Sequence, residues 1–102
     1  MTSQNVSISE ISKIVTPIAR EYGIGKLAVF GSFVRGEAND ASDIDFHVID
    51  RGALRGMFRL ASFELAIEEK LDRPVDVVTT DSMFDDVIQN VEREELIIYE
   101  GR

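Results

Sequence analysis

Residues 31–45 read G-S-F-V-R-G-E-A-N-D-A-S-D-I-D, placing Gly31 and Ser32 ahead of Arg35 and, after a polar stretch, Asp43 and Asp45 one residue apart. A third carboxylate, Asp76, stands inside the apolar run Val75-Asp76-Val77-Val78. Carboxylate oxygens are hard ligands that suit Mg²⁺, and a Gly-Ser turn lets backbone N–H groups approach a phosphate closely. A nucleoside triphosphate needs both. The chemistry this set can do is therefore metal-dependent nucleotidyl transfer, with Asp43, Asp45 and Asp76 as metal ligands and catalytic carboxylates.

Aspartate is disfavoured within strands, so each of these residues needs a reason to be there. Were the three to converge, every pair about 5 Å apart would repel by roughly 3 kcal/mol at an effective dielectric of about 20. Against a typical total stability of roughly 5–15 kcal/mol, such a cluster calls for a cation. Gly31 admits the phosphate and Ser32 offers a hydroxyl, although an ordinary N-cap serine is a common use of the same residue type. Arg35, one helical turn on, is placed to meet a departing pyrophosphate, or else to form a surface ion pair with Glu37 or Asp40. His47 shares the carboxylate face, but it is the only histidine in the chain, so a zinc site is not built and a structural role is the better reading. Arg51, Arg55 and Arg59 read as a solvated or partner-facing edge.

The elements that must position these residues follow from periodicity. Ser7 and Glu10 have capping-box spacing, and Ile8, Ile11, Val15, Ile18, Ala19 and Tyr22 recur at helical intervals up to Gly23. Pro17 predicts a bend or break in that helix. Residues 26–30 form a strand running into Gly31. Residues 43–49 form a second strand, with Ile44, Phe46 and Val48 on one face and Asp43, Asp45 and His47 on the other. A helix over about 55–71 carries Leu60, Phe63, Ile67 and Leu71 on one stripe, and Asp72-Arg73-Pro74 stops it. Residues 75–79 form a third strand. A last helix begins near Ser82 with Phe84, Val87, Ile88 and Val91 inward, and residues 96–99 form a terminal strand or docking segment. The order implies an α+β fold, a small mixed β-sheet with helices packed on it, in a single domain over residues 1–102.

Composition narrows the partners. At 102 residues with 44% hydrophobic and 29% charged residues, the chain suits one soluble globular domain with one core and little room for a second substrate-recognition module. The net charge of −8 disfavours a nucleic-acid polymer, whose affinity rests on Lys and Arg, but not a nucleotide whose metal brings the compensating charge. No apolar stretch spans a membrane, no secretory leader is visible at residues 1–9, and cysteine is absent, all of which fits the cytoplasm.

The segment Leu27-Ala28-Val29-Phe30-Gly31-Ser32-Phe33-Val34-Arg35-Gly36, followed by Ser42-Asp43-Ile44-Asp45-Phe46, resembles the signature of the minimal nucleotidyltransferases of the DNA polymerase β-like superfamily. The long helix, the Val-Asp-Val-Val strand and the closing Ile97-Ile98-Tyr99-Glu100-Gly101 extend the resemblance over nearly the whole chain. It implies a polymerase β-like nucleotidyltransferase fold and ATP as substrate. Gly31 and Ser32 would hold the triphosphate, Asp43 and Asp45 would bind two Mg²⁺ ions, and Asp76 would bind one metal and activate the acceptor hydroxyl. It further implies a partner, a HEPN-type ribonuclease toxin, AMPylated on tyrosine by its antitoxin. Two alternatives stay open: transfer to a small cationic acceptor of the aminoglycoside kind, and a catalytically silent module that masks its toxin.

Overall fold

Ser7 begins the first helix with the reciprocal bonds its spacing predicts. Its hydroxyl accepts from the Glu10 N–H at 3.0 Å, and the Glu10 carboxylate accepts from the Ser7 N–H at 3.0 Å. The computed structural model describes residues 7–39, 42–55 and 57–101. Helix α1 (Ile8–Tyr22) ends on Gly23, whose φ of 73° lets its N–H reach back to the carbonyls of Ala19 and Arg20. Ile11, Val15, Ile18 and Ala19 are its buried face. Pro17 does not break the helix: it removes one N–H, while Val15 before it and Ile18 after it are both pinned in the core.

Strand β1 (Lys26–Phe30) leads into the single turn α2 (Ser32–Arg35). Strand β2 (Ile44–Ile49) begins one residue later than expected, leaving Asp43 on the loop just before it. Helix α3 (Met57–Leu71) starts after Arg55, and Gly56 lies outside the described residues. It delivers the chain to β3 (Val75–Thr79), which pairs parallel with β2 as a crossover helix permits. A 3₁₀ turn over Thr80–Ser82 precedes α4 (Asp85–Glu94), so this helix begins three residues later than Ser82. The last segment is a strand, β4 (Leu96–Glu100).

Sheet order is β3-β2-β1-β4, with β1 antiparallel to both its neighbours. β1 therefore ends where β2, β3 and β4 begin, and Gly31, Asp45, Asp76 and Glu94 all fall at that one end. Leu27 and Val29 of β1, Ile44, Phe46 and Val48 of β2, and Val75 and Val77 of β3 join α1 and the Phe63–Ile67–Leu71 stripe of α3 in one core. The small mixed sheet with helices packed on it is the expected α+β architecture. One expectation fails: Phe84 is 83% exposed and Val87 41%, while Val91 is the buried apolar residue of α4. Periodicity locates an apolar stripe on a helix but does not cover it.

Phe63 is wholly buried and touches the Tyr22 ring edge-on at 5.2 Å between centroids. Phe63→Ala should cost about 3–5 kcal/mol, read as a lower urea midpoint with an unchanged slope.

Candidate active site

The outward face of the sheet carries the chemistry. Asp45 lies on β2 directly beside Asp76 on β3 in the parallel register, and across from Phe30 at the end of β1. Neighbouring strands run roughly 4.8 Å apart, so the two carboxylates leave the sheet side by side. Asp43, two residues before Asp45, lies on the adjoining loop and is exposed, as is Asp76, whereas Asp45 is half-buried. Burial pushes the Asp45 carboxyl above its ordinary range, and the charges of Asp76, Asp43 and Glu94 push it further, against the pull of Arg35. The three sequence-predicted aspartates thus form one electrostatic unit. Glu64 of α3 borders it, its carboxyl raised by burial and then by Glu68 and Asp76.

Gly31 is buried with φ 82° and ψ −148°, a backbone that L side chains rarely adopt, and a Cβ there would run into the Asp45 carboxylate. Glycine is required on both counts. Its carbonyl accepts from the N–H groups of Val34 and Arg35, closing the turn. Ser32 follows, half-buried, with no hydrogen-bond partner for its hydroxyl among the described residues. Arg35 is paired within the chain. Its Nε donates to Glu37 Oε1 at 2.9 Å and its Nη1 to Glu94 Oε1 at 2.8 Å. The ion pair with Glu37 is one of the two surface pairings the sequence allowed; Asp40 lies outside the described residues.

Glu94 is the residue that sequence reading missed. Its second carboxylate oxygen accepts from the Gly31 N–H at 2.7 Å, and the Arg35 and Gly31 bonds hold its carboxyl below the ordinary range. One signal pointed to it. An acid in the last turn of a helix opposes the macrodipole, so Glu94 at the end of α4 needs a partner elsewhere.

His47 is structural. It is completely buried, with Nδ1 at 2.7 Å from Glu95 Oε1 and Nε2 at 2.8 Å from Thr80 Oγ1, and Glu95 also pairs with Lys26 at 3.4 Å. Arg51, Arg55 and Arg59 follow the far end of β2, which at about 3.3 Å per residue begins roughly 13 Å from Asp45. Arg59 covers the Tyr22 ring at 4.5 Å, and Arg51 packs against Gly25.

Among the described residues no group of three or more His, Cys, Asp or Glu side chains is disposed to hold a metal ion on protein ligands alone. The donor set nevertheless suits Mg²⁺, which binds through one or two carboxylates and completes its shell with water and phosphate oxygens. The raised carboxyl of Asp45 marks a place where a cation would relieve repulsion.

A mixed four-stranded sheet with aspartates on one face beside a Gly-Ser turn defines a nucleotidyltransferase of the minimal kind. The family described as "Polymerase beta, Nucleotidyltransferase" matches residues 12–102, and the chain belongs to it. It is 31% identical over 93 residues to the protein adenylyltransferase MntA of Thermococcus cleftensis, covering 87% of this chain and 93% of that protein. It is 32% identical over 78 residues to a Methanocaldococcus jannaschii protein named as a candidate protein adenylyltransferase, covering 76% of this chain and 83% of the other. A solved structure of a candidate minimal nucleotidyltransferase superposes with a TM-score of 0.77 at 28% identity, over 90% of this chain and 96% of that one. The fold is shared with the MNT antitoxin solved in complex with a tri-AMPylated Shewanella oneidensis HEPN toxin, at a TM-score of 0.71 and 17% identity, over 91% and 72% of the two chains. A toxin–antitoxin structure with AMP-PNP superposes at 0.77 and 19% identity, over 89% and 74%.

Two substitutions test this geometry. Gly31→Ala should cost about 1–3 kcal/mol in a thermal melt, and more than Gly36→Ala, which shares a positive φ but has nothing within 4 Å of its Cβ position. Asp45→Asn should raise the melting temperature at pH 7, because a carboxyl whose folded pKa is raised loses stability as pH rises through that value. Below its unfolded pKa both proteins carry a neutral side chain, and the difference should vanish.

Proposed function

We propose that this chain is a Mg²⁺-dependent protein adenylyltransferase that moves AMP from ATP to a hydroxyl, preferentially of tyrosine, on a HEPN-type ribonuclease toxin, and so acts as its antitoxin. The observation that carries the reading is the side-by-side placement of Asp45 and Asp76 next to Asp43 and the Gly31–Ser32 turn, in a chain whose relatives are named as protein adenylyltransferases. Support for the partner comes from the shared fold with an MNT antitoxin seen in complex with an AMPylated HEPN toxin; support for the nucleotide comes from the toxin–antitoxin structure with AMP-PNP. The charge of −8 disfavours a nucleic-acid acceptor.

Asp43 and Asp45 would hold the metal with Asp76 completing the set, and the ion when bound neutralises phosphate charge and favours ionisation of the acceptor hydroxyl. The chain's own residues do the rest. Asp76, the more exposed of the strand pair, would take the proton of the incoming hydroxyl. The acceptor oxygen then forms a bond to the α-phosphorus as the bridging bond to the β-phosphate breaks, and pyrophosphate departs on the side of Ser32 and Arg35. An AMP group added near a ribonuclease active site would repel RNA phosphate by like charge, so the inhibition would outlast the complex that made it.

Incubating the partner toxin with this protein and Mg-ATP should add the mass of one or more AMP groups to the intact toxin, with loss of ribonuclease activity. Asp43→Asn should add none. A toxin inhibited equally by both proteins with no mass gained would replace transfer by masking as the mode of action.

A further inference from the structure

Gly31 N–H is a buried donor, and a buried donor must be satisfied. In this chain its partner is a side chain 63 residues away, Glu94 Oε2 at 2.7 Å, whose other oxygen is held by Arg35 at 2.8 Å. A carboxylate bridging a turn N–H and a guanidinium uses the same two donors that a phosphate oxygen pair would use. The Glu94 side chain is 26% exposed, so it is seated in the site and not waving over it. It also adds a further negative charge beside Asp45. The native charge pattern therefore already contains an anion where the polyphosphate of the proposed substrate has to go.

We propose that Glu94 is an internal competitor for the phosphate cradle: the free chain is self-blocked, and a nucleotide polyphosphate enters by displacing the Glu94 carboxylate from Gly31 and Arg35. The inference rests on the nucleotide reading of the site and goes beyond it by naming the residue that opposes binding. The exchange leaves Gly31 satisfied in both states, first by the carboxylate and then by phosphate oxygen, so the donor is never orphaned. Arg35 keeps its second partner, Glu37, throughout. A ligand that binds only the open form is weakened by the fraction of molecules that are open. Removing the competitor should therefore tighten binding, the reverse of what loss of a ligand-contacting residue does.

Glu94→Gln keeps the size of the side chain and an acceptor oxygen while removing the charge; Glu94→Ala removes both. The Gly31 amide resonance, assigned by NMR in the free protein, reads the contact without any nucleotide, and it should move in both variants. Calorimetry with Mg·AMP-PNP and with Mg·pyrophosphate then reads the competition. Both probes should bind about 3- to 10-fold more tightly to the variants than to the natural chain, as expected if the latch is closed in most molecules. An unmoved Gly31 amide overturns the latch whatever the nucleotide does. An amide that moves while affinity is unchanged or falls also overturns it, and makes Glu94 a positioning residue for Arg35. If neither probe binds natural or variant protein, the nucleotide reading fails and the gate with it. That result differs from failure of the latch alone, because the amide shift is measured on free protein.

Discussion

Two like charges held side by side on adjacent strands, Asp45 and Asp76, set the terms for the rest of this molecule. The pull of Arg35 on Asp45 is outweighed by the charges of Asp76 and Asp43, and burial of Asp45 makes its charge costlier still. Folding holds them there because the opposite faces of the same strands carry Ile44, Phe46, Val48, Val75 and Val77 into the core under α1 and α3. A strand cannot bury its apolar face without projecting the alternate residues to the other side. The burial of that apolar face offsets the repulsion of the acidic one, and the site is assembled at the expense of stability that the core supplies. Such a site favours whatever brings positive charge to it, which is why a triphosphate with its metal suits it better than a bare anion.

The parallel pairing of β2 and β3 is what turns two separate aspartates into neighbours. A slip of one residue would send Asp76 into the core and Val77 to the surface, so register and chemistry are fixed together. The crossover through α3 imposes the parallel direction, and Glu68 of that helix caps the entry to β3 by accepting from the Val75 N–H at 3.1 Å. The antiparallel turn from β1 then brings Gly31 to the same end. Convergence of the Gly-Ser turn with the carboxylates is therefore a property of topology, not of their closeness in sequence.

Much of this was legible from the residues. The Ser7–Glu10 capping box, the alternation across residues 44–48 and the stripe of Phe63, Ile67 and Leu71 each state a local rule, and local rules survive folding. What was not legible depends on distant partners. Arg35 invited a pairing with Glu37, two residues away, and received Glu94 as well, 59 residues away. The apolar residues of α4 repeat as a stripe, yet Phe84 and Val87 stay in solvent, because whether a stripe is covered depends on what the sheet places opposite it. Pro17 suggested a bend or a break in α1, and the helix runs through unbroken, because one lost hydrogen bond is small beside a buried face on both sides of it.

The junction of α4 and β4 shows how a movable group can be carried on a fixed frame. Glu94 and Glu95 are consecutive, and they go to different places: Glu94 to Gly31 and Arg35, Glu95 to His47 and Lys26. The Glu95 side chain is only 5% exposed, and the His47 it holds is bonded in turn to Thr80, so this half of the junction is locked on both sides. Breaking that buried network would leave charged and polar groups without partners, which is costly. Glu94, by contrast, gives up one backbone donor and one exposed guanidinium, each of which a phosphate can take over. The buried His47, for which the sequence already favoured a structural role, holds still the backbone from which Glu94 reaches the site.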